Sequence, residues 1–390
     1  MKKMLCISTC FPSAEKPYYC VYILQQLKEV AKNGFAIDVL IPDDKLDQGV
    51  LKEETFDGFR IKRIGYTKRK LFKIFNVYNS RFFKTLRTVF EDNMYDIIQM
   101  DIVDVDLIAI VTKLKRYYKV CSYHVHGLNI WRNYKTNHKL FELFQTARKI
   151  AVCKKIDIFI GVSNKTSLVI SQHIKNNKIH TVYNGVDPSL FYPKKARTDD
   201  NVFTIYCVAN LIEIKGHRYL IEGFSKAKEK YCDTRMKLVI IGTGPVKEEL
   251  LKQIDSLGIH NHVILLESLN YPELAEKFRE DCDLFVMPSY YESLGCVYLE
   301  AMASDIIAVG VKGCGIDEII TDKQNGILLR GQNADDVYSS IDYVLSHKNE
   351  SKTIAENGMN TVINRFTWAH SGKELARVYR EELEKRNGRF

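Results

Sequence analysis

Short apolar runs alternate with longer amphipathic segments along this chain, and the alternation is laid down twice. In the first half the runs are Met4–Ile7, Ile37–Ile41, Asp96–Met100, Val120–His124 and Ile156–Val162. Between the first two, Val21–Asn33 carries apolar residues at helical spacing and stops at Gly34, a good helix terminator. The rhythm breaks after Pro193 in a charged stretch, Lys194-Lys-Ala-Arg-Thr-Asp-Asp-Asn201. It then restarts: Val202–Val208, a helical pattern over His217–Lys230, and the runs Lys237–Ile241, Val263–Leu266, Leu284–Met287 and Ile306–Val309. Strands buried on both faces read as continuous apolar runs, and a repeated strand–helix–strand order gives a parallel sheet covered by helices. The expected architecture is α/β, with two Rossmann-like doubly wound domains facing a cleft. The first spans 1–193 and is completed by a C-terminal helix over 372–390; the second spans 194–371. In such sheets ligands bind beyond the carboxyl ends of the strands.

The richest stretch for chemistry is Pro288-Ser-Tyr-Tyr-Glu-Ser-Leu-Gly-Cys-Val-Tyr-Leu-Glu-Ala-Met-Ala303. Its apolar positions place Glu292 in a strand-to-helix turn and Glu300 inside the helix. At ~1.5 Å rise per residue the two carboxylates stand roughly 12 Å apart along the axis. At ~100° per residue they lie within about 80° of one another around it. The unpaired amides of the helix start, near Leu294, Gly295 and Cys296, suit a phosphate between them. Acid, amides, acid over that length matches a sugar, a diphosphate and a ribose laid end to end.

This segment resembles the Glu-x7-Glu signature of retaining glycosyltransferases with the GT-B fold, in particular glycosyltransferase family 4. The resemblance implies a nucleotide diphosphate sugar donor, UDP-sugar favoured and GDP-sugar possible. It places Glu292 by the donor sugar, as a catalytic group, and Glu300 on the ribose hydroxyls. Other stretches carry the likeness through most of the chain. Asn184-Gly-Val-Asp-Pro-Ser-Leu-Phe-Tyr-Pro193 is similar to a family turn segment, read here as ending the first domain. Ala209-Asn-Leu-Ile-Glu-Ile-Lys-Gly216 stands where the family clamps the diphosphate with an Arg and a Lys. Lys215 and Gly216 match; Asn210 replaces the Arg, so one cation is missing. Gly242-Thr-Gly-Pro245 resembles a family turn and lacks the Lys-Ser/Thr of a P-loop. Glu267-Ser-Leu269 is where the family reads the base, and Leu269 joins the donor-binding set. Ser122-Tyr-His-Val-His-Gly127 looks like the family's His-Gly turn, which makes His126 a second catalytic candidate facing the donor sugar and leaves His124 a sheet residue. Cys20 stands where many relatives have Gly. No cofactor and no metal are expected: Asp104-Val-Asp106 fits a strand end and helix start better than a metal site.

Charge bears on the acceptor. Residues 1–200 hold 34 Lys and Arg against 20 Asp and Glu, whereas 201–390 hold 23 against 28. Ten of the cations fall between Arg60 and Arg87 with no acid among them, interleaved with Leu71, Phe72, Ile74, Phe75, Tyr78, Phe82, Phe83 and Leu86. A helix of that composition over 60–87 would lie on an anionic bilayer; a core helix with a solvated basic face is the bland alternative, and nucleic acid is not expected. No apolar run reaches the ~20 residues that span a bilayer. The Met1–Cys10 segment reads as a first strand, not a signal peptide. Ten cysteines without a Cys-x-x-Cys pair fit free thiols in a reducing cytosol. The expectation is a cytoplasmic, peripherally membrane-bound transferase, a hexosyl- or N-acetylhexosaminyltransferase. Its acceptor would be a glycan or lipid-linked glycan of bacterial surface polysaccharide synthesis. A soluble acceptor, and a non-catalytic nucleotide-sugar-binding scaffold, are the alternatives.

Overall fold

The computed structural model of the protein describes residues 1–17, 19–67, 78–127, 139–175, 178–193, 202–232 and 234–387, with side chains placed at all but 139–144 and 387 of these. The linker at 194–201 lies outside the described residues. The chain forms two compact units, Met1–Tyr183 with Trp368–Phe390, and Asn184–Thr367.

The first unit contains β1 (Lys2–Ser8), α1 (Val21–Lys32), β2 (Phe35–Asp43), β3 (Leu51–Phe56), β4 (Phe59–Gly65), α2 (Ser80–Asn93), β5 (Tyr95–Asp101), α3 (Val105–Lys113), β6 (Tyr118–Val125), α4 (Lys139–Cys153), β7 (Ile158–Gly161), α5 (Asn164–His173) and β8 (Lys178–Thr181). Its sheet runs β3-β4-β2-β1-β5-β6-β7-β8, parallel except where β3 meets β4. Alternate residues of each strand serve opposite faces. Leu5 and Ile7 join a core with Leu86 and Phe90 of α2 and Leu107 of α3, while Met4 and Cys6 join the other core with Leu24 and Leu27 of α1.

The basic stretch 60–87 is not one helix. Asp57 (φ 50°) and Gly58 (φ 82°) make a two-residue hairpin turn, and Arg60–Gly65 pairs with β3 as a strand. There Arg60 pairs with Asp38, Lys62 with Glu53 and Arg63 with Glu54. A helix starts at Ser80, capped by the Asn79 side chain. Phe82 and Leu86 are fully buried, and the Tyr78 hydroxyl donates to Asp104 at 2.8 Å. Arg81, Lys84 and Arg87 point outward. The described part is therefore a core helix with a solvated basic face; residues 68–77, with Leu71, Phe72, Ile74 and Phe75, lie outside the described residues. Asp104 caps α3 by accepting from Leu107 N, as its strand-end position suggests. Among the described residues no helix is long and apolar enough to cross a membrane, and all ten cysteines are free thiols.

The second unit contains β9 (Val202–Val208), α6 (His217–Lys230), β10 (Arg235–Ile241), α7 (Lys247–Ser256), β11 (Val263–Leu266), α8 (Tyr271–Asp281), β12 (Leu284–Val286), α9 (Cys296–Ala303), β13 (Ile307–Val311), β14 (Ile327–Leu329), α10 (Ala334–Ser346) and α11 (Lys348–Arg365). Its sheet is parallel throughout, in the order β11-β10-β9-β12-β13-β14. The chain builds outward from β9 on one side, then returns to start again at β12 on the other. Consecutive crossovers therefore diverge between β9 and β12, the switch point where such sheets open a crevice.

The units divide at 183/184, ten residues before the boundary placed in the charged linker. Val186 bridges to Thr367, and Phe191 is buried with its ring 5.0 Å from that of Tyr271 and 6.1 Å from that of Phe278. The Asn184–Pro193 turn thus opens the second unit instead of closing the first. The last helix, α12 (Trp368–Asn387), belongs to the first unit. It lies so close to α1 that a Cβ on Gly372 would meet that of Glu29 at 2.2 Å, and Leu375, Ala376, Val378 and Tyr379 fill the core beneath.

Candidate functional site

Lys215 comes off the end of β9 and Glu292 off the end of β12, the two strands that flank the switch point. The two loops are pinned together by a direct backbone bond and a bridging side chain. Tyr290 N donates to Ile214 O at 3.1 Å, and the Gln332 amide reaches both Pro288 O at 2.7 Å and Ile214 O at 3.2 Å. Gly216 turns the first loop into α6 with φ 73°, and a Cβ there would meet Pro288 O at 2.3 Å. Only glycine allows that approach. The result is an ion pair between Lys215 Nζ and Glu292 Oε2, with both side chains 17% exposed.

Gly295 plays the same part on the other loop. Its φ is 80°, and a Cβ would strike the Tyr298 ring at 2.7 Å. That tight turn starts α9 directly after Glu292, Ser293 and Leu294. The first amides of a helix have no carbonyl partner within it and carry its positive end. Asn184 Nδ2 donates to Cys296 Sγ at 3.4 Å at this end. One turn further on, Glu300 is buried, and burial pushes its carboxyl up to about 7 against the pull of a hydrogen bond from Tyr271. Burial and the Glu300 charge together push the Cys296 thiol up to about 12.

Beyond the ends of β9, β10 and β11 a pocket of about 130 Å³ is lined by Ala209, Asn210, Gly242, Ser268, Leu269 and Leu274, among others. Asn210 and Leu269 were expected at a common ligand; they share this wall.

 Leu269 and Ser268 follow β11, and Leu274 of α8, which carried no signal in the sequence, completes the lining.

The first unit holds a second cluster of polar groups. Asp101 closes β5 and stands opposite His124 of β6 in the parallel register, so Gln99, Asp101, Ser122, His124 and His126 share one face. Asp101 is fully buried and accepts from Gln99 Nε2 at 2.8 Å, from His126 Nε2 at 2.7 Å and from Cys6 Sγ at 3.4 Å. His124 Nε2 meets the Tyr379 hydroxyl at 2.8 Å, and burial holds that imidazole down at about 4. Ligand atoms of Asp101, His124 and His126 lie within 4.8 Å of one another, as a metal site requires. Yet two ligands of one tetrahedral zinc, each about 2.0–2.2 Å from it, stand roughly 3.3 Å apart. The 2.7 Å between His126 and Asp101 suits a shared proton instead.

Two family models divide the chain. Residues 190–361 match the model described as "Glycosyl transferases group 1", and residues 21–190 match "Glycosyltransferase Family 4". The chain belongs to the group 1 glycosyltransferases. Among curated relatives it is 29% identical over 238 residues to an uncharacterized glycosyltransferase of Methanocaldococcus jannaschii, covering 58% of this chain and 60% of that protein. It is 26% identical over 181 residues to a GDP-mannose-dependent alpha-(1-6)-phosphatidylinositol monomannoside mannosyltransferase of Mycolicibacterium smegmatis, covering 45% and 47%. The chain thus spans about half to 60% of the length of these relatives. Among solved structures, sucrose-phosphate synthase from Thermosynechococcus elongatus superposes with a TM-score of 0.73 at 17% identity, over 98% of this chain and 99% of that one. HepE of Anabaena, solved in complex with UDP, gives 0.73 at 16% identity over 98% and 100%. At those identities the likeness shows the fold, which is GT-B.

In this chain the second unit brings Lys215, Gly216, Glu292, Leu294, Gly295, Cys296 and Glu300 to adjoining loops and one helix. His126 lies in the first unit. The sequence missed the Lys215–Glu292 pairing, the role of Asn184 at α9 and the whole environment of Asp101. Glu300 also has a consequence for stability. Its folded carboxyl titrates at about 7 against an ordinary 4.5, so the folded state binds more protons between those values. Stability therefore falls as pH rises from 4.5 through 7. The loss is on the order of 3 kcal/mol once Glu300 is ionised. Glu300→Gln should raise Tm by several degrees at pH 8 and leave it nearly unchanged near pH 4.5; melting curves at the two values check this.

Proposed function

We propose that this glycosyltransferase moves a sugar from a nucleotide diphosphate sugar to a hydroxyl acceptor, with retention of anomeric configuration. The observation that carries the reading is the Lys215–Glu292 pair at the switch point, set against the start of α9. As the bond from sugar to phosphate breaks, negative charge gathers on the leaving diphosphate and positive charge on the sugar. Lys215 and the amides of Leu294–Cys296 stabilise the first. Glu292, released from Lys215 as the diphosphate takes over that cation, orients the sugar hydroxyls and stabilises the second. Glu300 holds the ribose, and the pocket beside Asn210 and Leu269 receives the base. His126 accepts a hydrogen bond from a substrate hydroxyl. The leaving phosphate takes the acceptor's proton, and no metal ion or cofactor has a step.

A UDP-sugar is the favoured donor. The mannosyltransferase relative is named for GDP-mannose and HepE was solved with UDP, which supports a nucleotide-linked donor without choosing the base. A panel of UDP-, GDP- and ADP-sugars, scored in EDTA for thermal stabilisation and slow hydrolysis, tests the reading; no response to any of them would overturn it. The acceptor we take to be a lipid-linked glycan, supported by the cationic excess of residues 1–200. Failure to co-sediment with anionic vesicles would favour a soluble acceptor.

The missing cation gives a direct test of the diphosphate site. Asn210 is exposed on the wall of the pocket, with room for a longer side chain. An amide donates to phosphate without the charge that makes such bonds roughly twice as strong. Asn210→Arg should therefore tighten nucleoside diphosphate binding by about five- to ten-fold at low salt, a gain of ~1 kcal/mol or slightly more. Calorimetric titration at two ionic strengths checks it, because a charge effect must shrink as salt rises.

A further inference from the structure

The proton positions around Asp101 follow from its neighbours one by one. Its carboxyl is held below the usual carboxylate range, by the adjacent imidazoles against the effect of burial, so it is an acceptor only. The Gln99 amide must then turn its nitrogen toward Asp101, at 2.8 Å, and its oxygen toward Tyr379. That oxygen cannot donate, so the single Tyr379 proton goes to it, also at 2.8 Å. The Tyr379 oxygen is left to accept, and His124 Nε2, 2.8 Å away, supplies the hydrogen. His124 is therefore the Nε2–H tautomer, with Nδ1 buried, unpartnered and 3.6 Å from Asp101 Oδ1. His124 gives no proton to Asp101 Oδ1, and His126 Nε2, at 2.7 Å, gives one. In the neutral ring that leaves His126 Nδ1 as a lone pair. It is buried and has no partner, and the Tyr22 ring lies 4.8 Å from the imidazole.

We infer that Asp101 is a positioning residue: backed by Gln99 and Tyr379, it fixes His126 as the Nε2–H tautomer, so that Nδ1 meets substrate as a hydrogen-bond acceptor and the group it receives is a hydroxyl. The inference rests on the reading of His126 given above. A buried acceptor without a donor has lost its water and gained nothing in return. A ligand hydroxyl removes that cost; a carboxylate or phosphate oxygen, which has no hydrogen to give, does not. A site built to bond a hydroxyl also rejects the analogue lacking it far more strongly than an apolar pocket would.

The tautomer is read directly by ¹⁵N NMR of the full chain labelled at histidine, with His126→Gln assigning the signal. Wild type should show a protonated Nε2 and an unprotonated Nδ1 at His126. The reverse assignment overturns the inference whatever the enzyme's substrate. In Asp101→Asn the Gln99 donor keeps an oxygen facing it, so the new NH₂ faces His126 and the ring should switch to Nδ1–H. With the donor chosen by the sugar panel, kcat/KM of Asp101→Asn should fall at least thirty-fold. One monodeoxy donor should lose at least ten-fold on wild type and less than three-fold on Asp101→Asn. Asp101→Asn with a switched ring but kcat/KM within three-fold of wild type would also overturn the positioning role. If the variant does not fold, the wild-type tautomer and the deoxy-donor series decide. An absence of any donor in the panel would instead sink the functional reading and leave the tautomer answered.

Discussion

Glu292→Gln should lower kcat by about a hundred- to a thousand-fold while the protein stays folded. The substitution keeps the shape of the side chain, which matters because Gly295 Cα lies under it: a Cβ there would stand 3.0 Å from Glu292 Cγ. It removes one negative charge from beside the reacting sugar, where positive charge develops only as the bond to phosphate breaks. Ground-state binding has less to lose. Lys215 is freed from its partner and can bind the diphosphate without first giving up an ion pair. KM for the donor should therefore stay level or fall while kcat collapses, the pattern of an interaction made mainly in the transition state. Each side chain of the pair is only 17% exposed, so leaving Lys215 without its partner should cost on the order of 1–3 kcal/mol, short of unfolding the protein. Circular dichroism and melting temperature separate that cost from unfolding. A variant with kcat within ten-fold of wild type would remove Glu292 from the chemistry. It would favour a nucleotide-sugar-binding scaffold, whose biological effect would survive the change.

What could be read from the chain beforehand follows contiguity. The α6 helix spans His217–Lys230 and β11 spans Val263–Leu266, the limits that their apolar periodicity suggests. Glu292 and Glu300 were legible together because one turn and one helix carry both. The hairpin of β3 and β4 was not, although Asp57-Gly58 is a strong turn signal. The run of cations after it reads as a helix surface until the acids of β2 and β3 are set beside it, and that pairing belongs to the sheet. Short edge strands such as β8 and β14, four and three residues long, carry too few positions for any period to show. The same reason hides the wiring of the sites. Lys215 and Glu292 are 77 residues apart, and Gln99 and Tyr379 are 280 apart. Their meeting depends on strand order and on the docking of α12, and neither is written in local spacing. Asp101 in particular looks like a strand-end carboxylate until the register of β5 and β6 sets it opposite His124.

Lys215→Met is expected to lower kcat/KM by about a thousand-fold, with most of the loss in kcat. Where two cations share a diphosphate, removing one leaves the other to cover part of the charge. Here Asn210 occupies the second place, so Lys215 has no cationic deputy on that loop. Methionine keeps the length and the apolar stem while deleting the ammonium, and the bonds that pin the loop, from Tyr290 N to Ile214 O and from the Gln332 amide to Ile214 O and Pro288 O, do not involve the Lys215 side chain. The loss should therefore come from charge, not from displacement of the loop. It also leaves Glu292 without its partner in a mostly buried position, which repels an incoming diphosphate. That second effect separates Lys215 from a merely structural lysine. In Lys215→Met with Glu292→Gln the repulsion is gone, so donor affinity should recover relative to Lys215→Met alone while turnover stays low. Additive losses in both affinity and turnover would mean that the two side chains act on separate steps. Restoring a cation nearby offers the sharper check. Asn210→Arg placed on the Lys215→Met background should regain at least ten-fold in kcat/KM if both positions face the same diphosphate. If the arginine restores nothing, the two loop positions do not share a phosphate, and the electrostatic account of the leaving group fails with it.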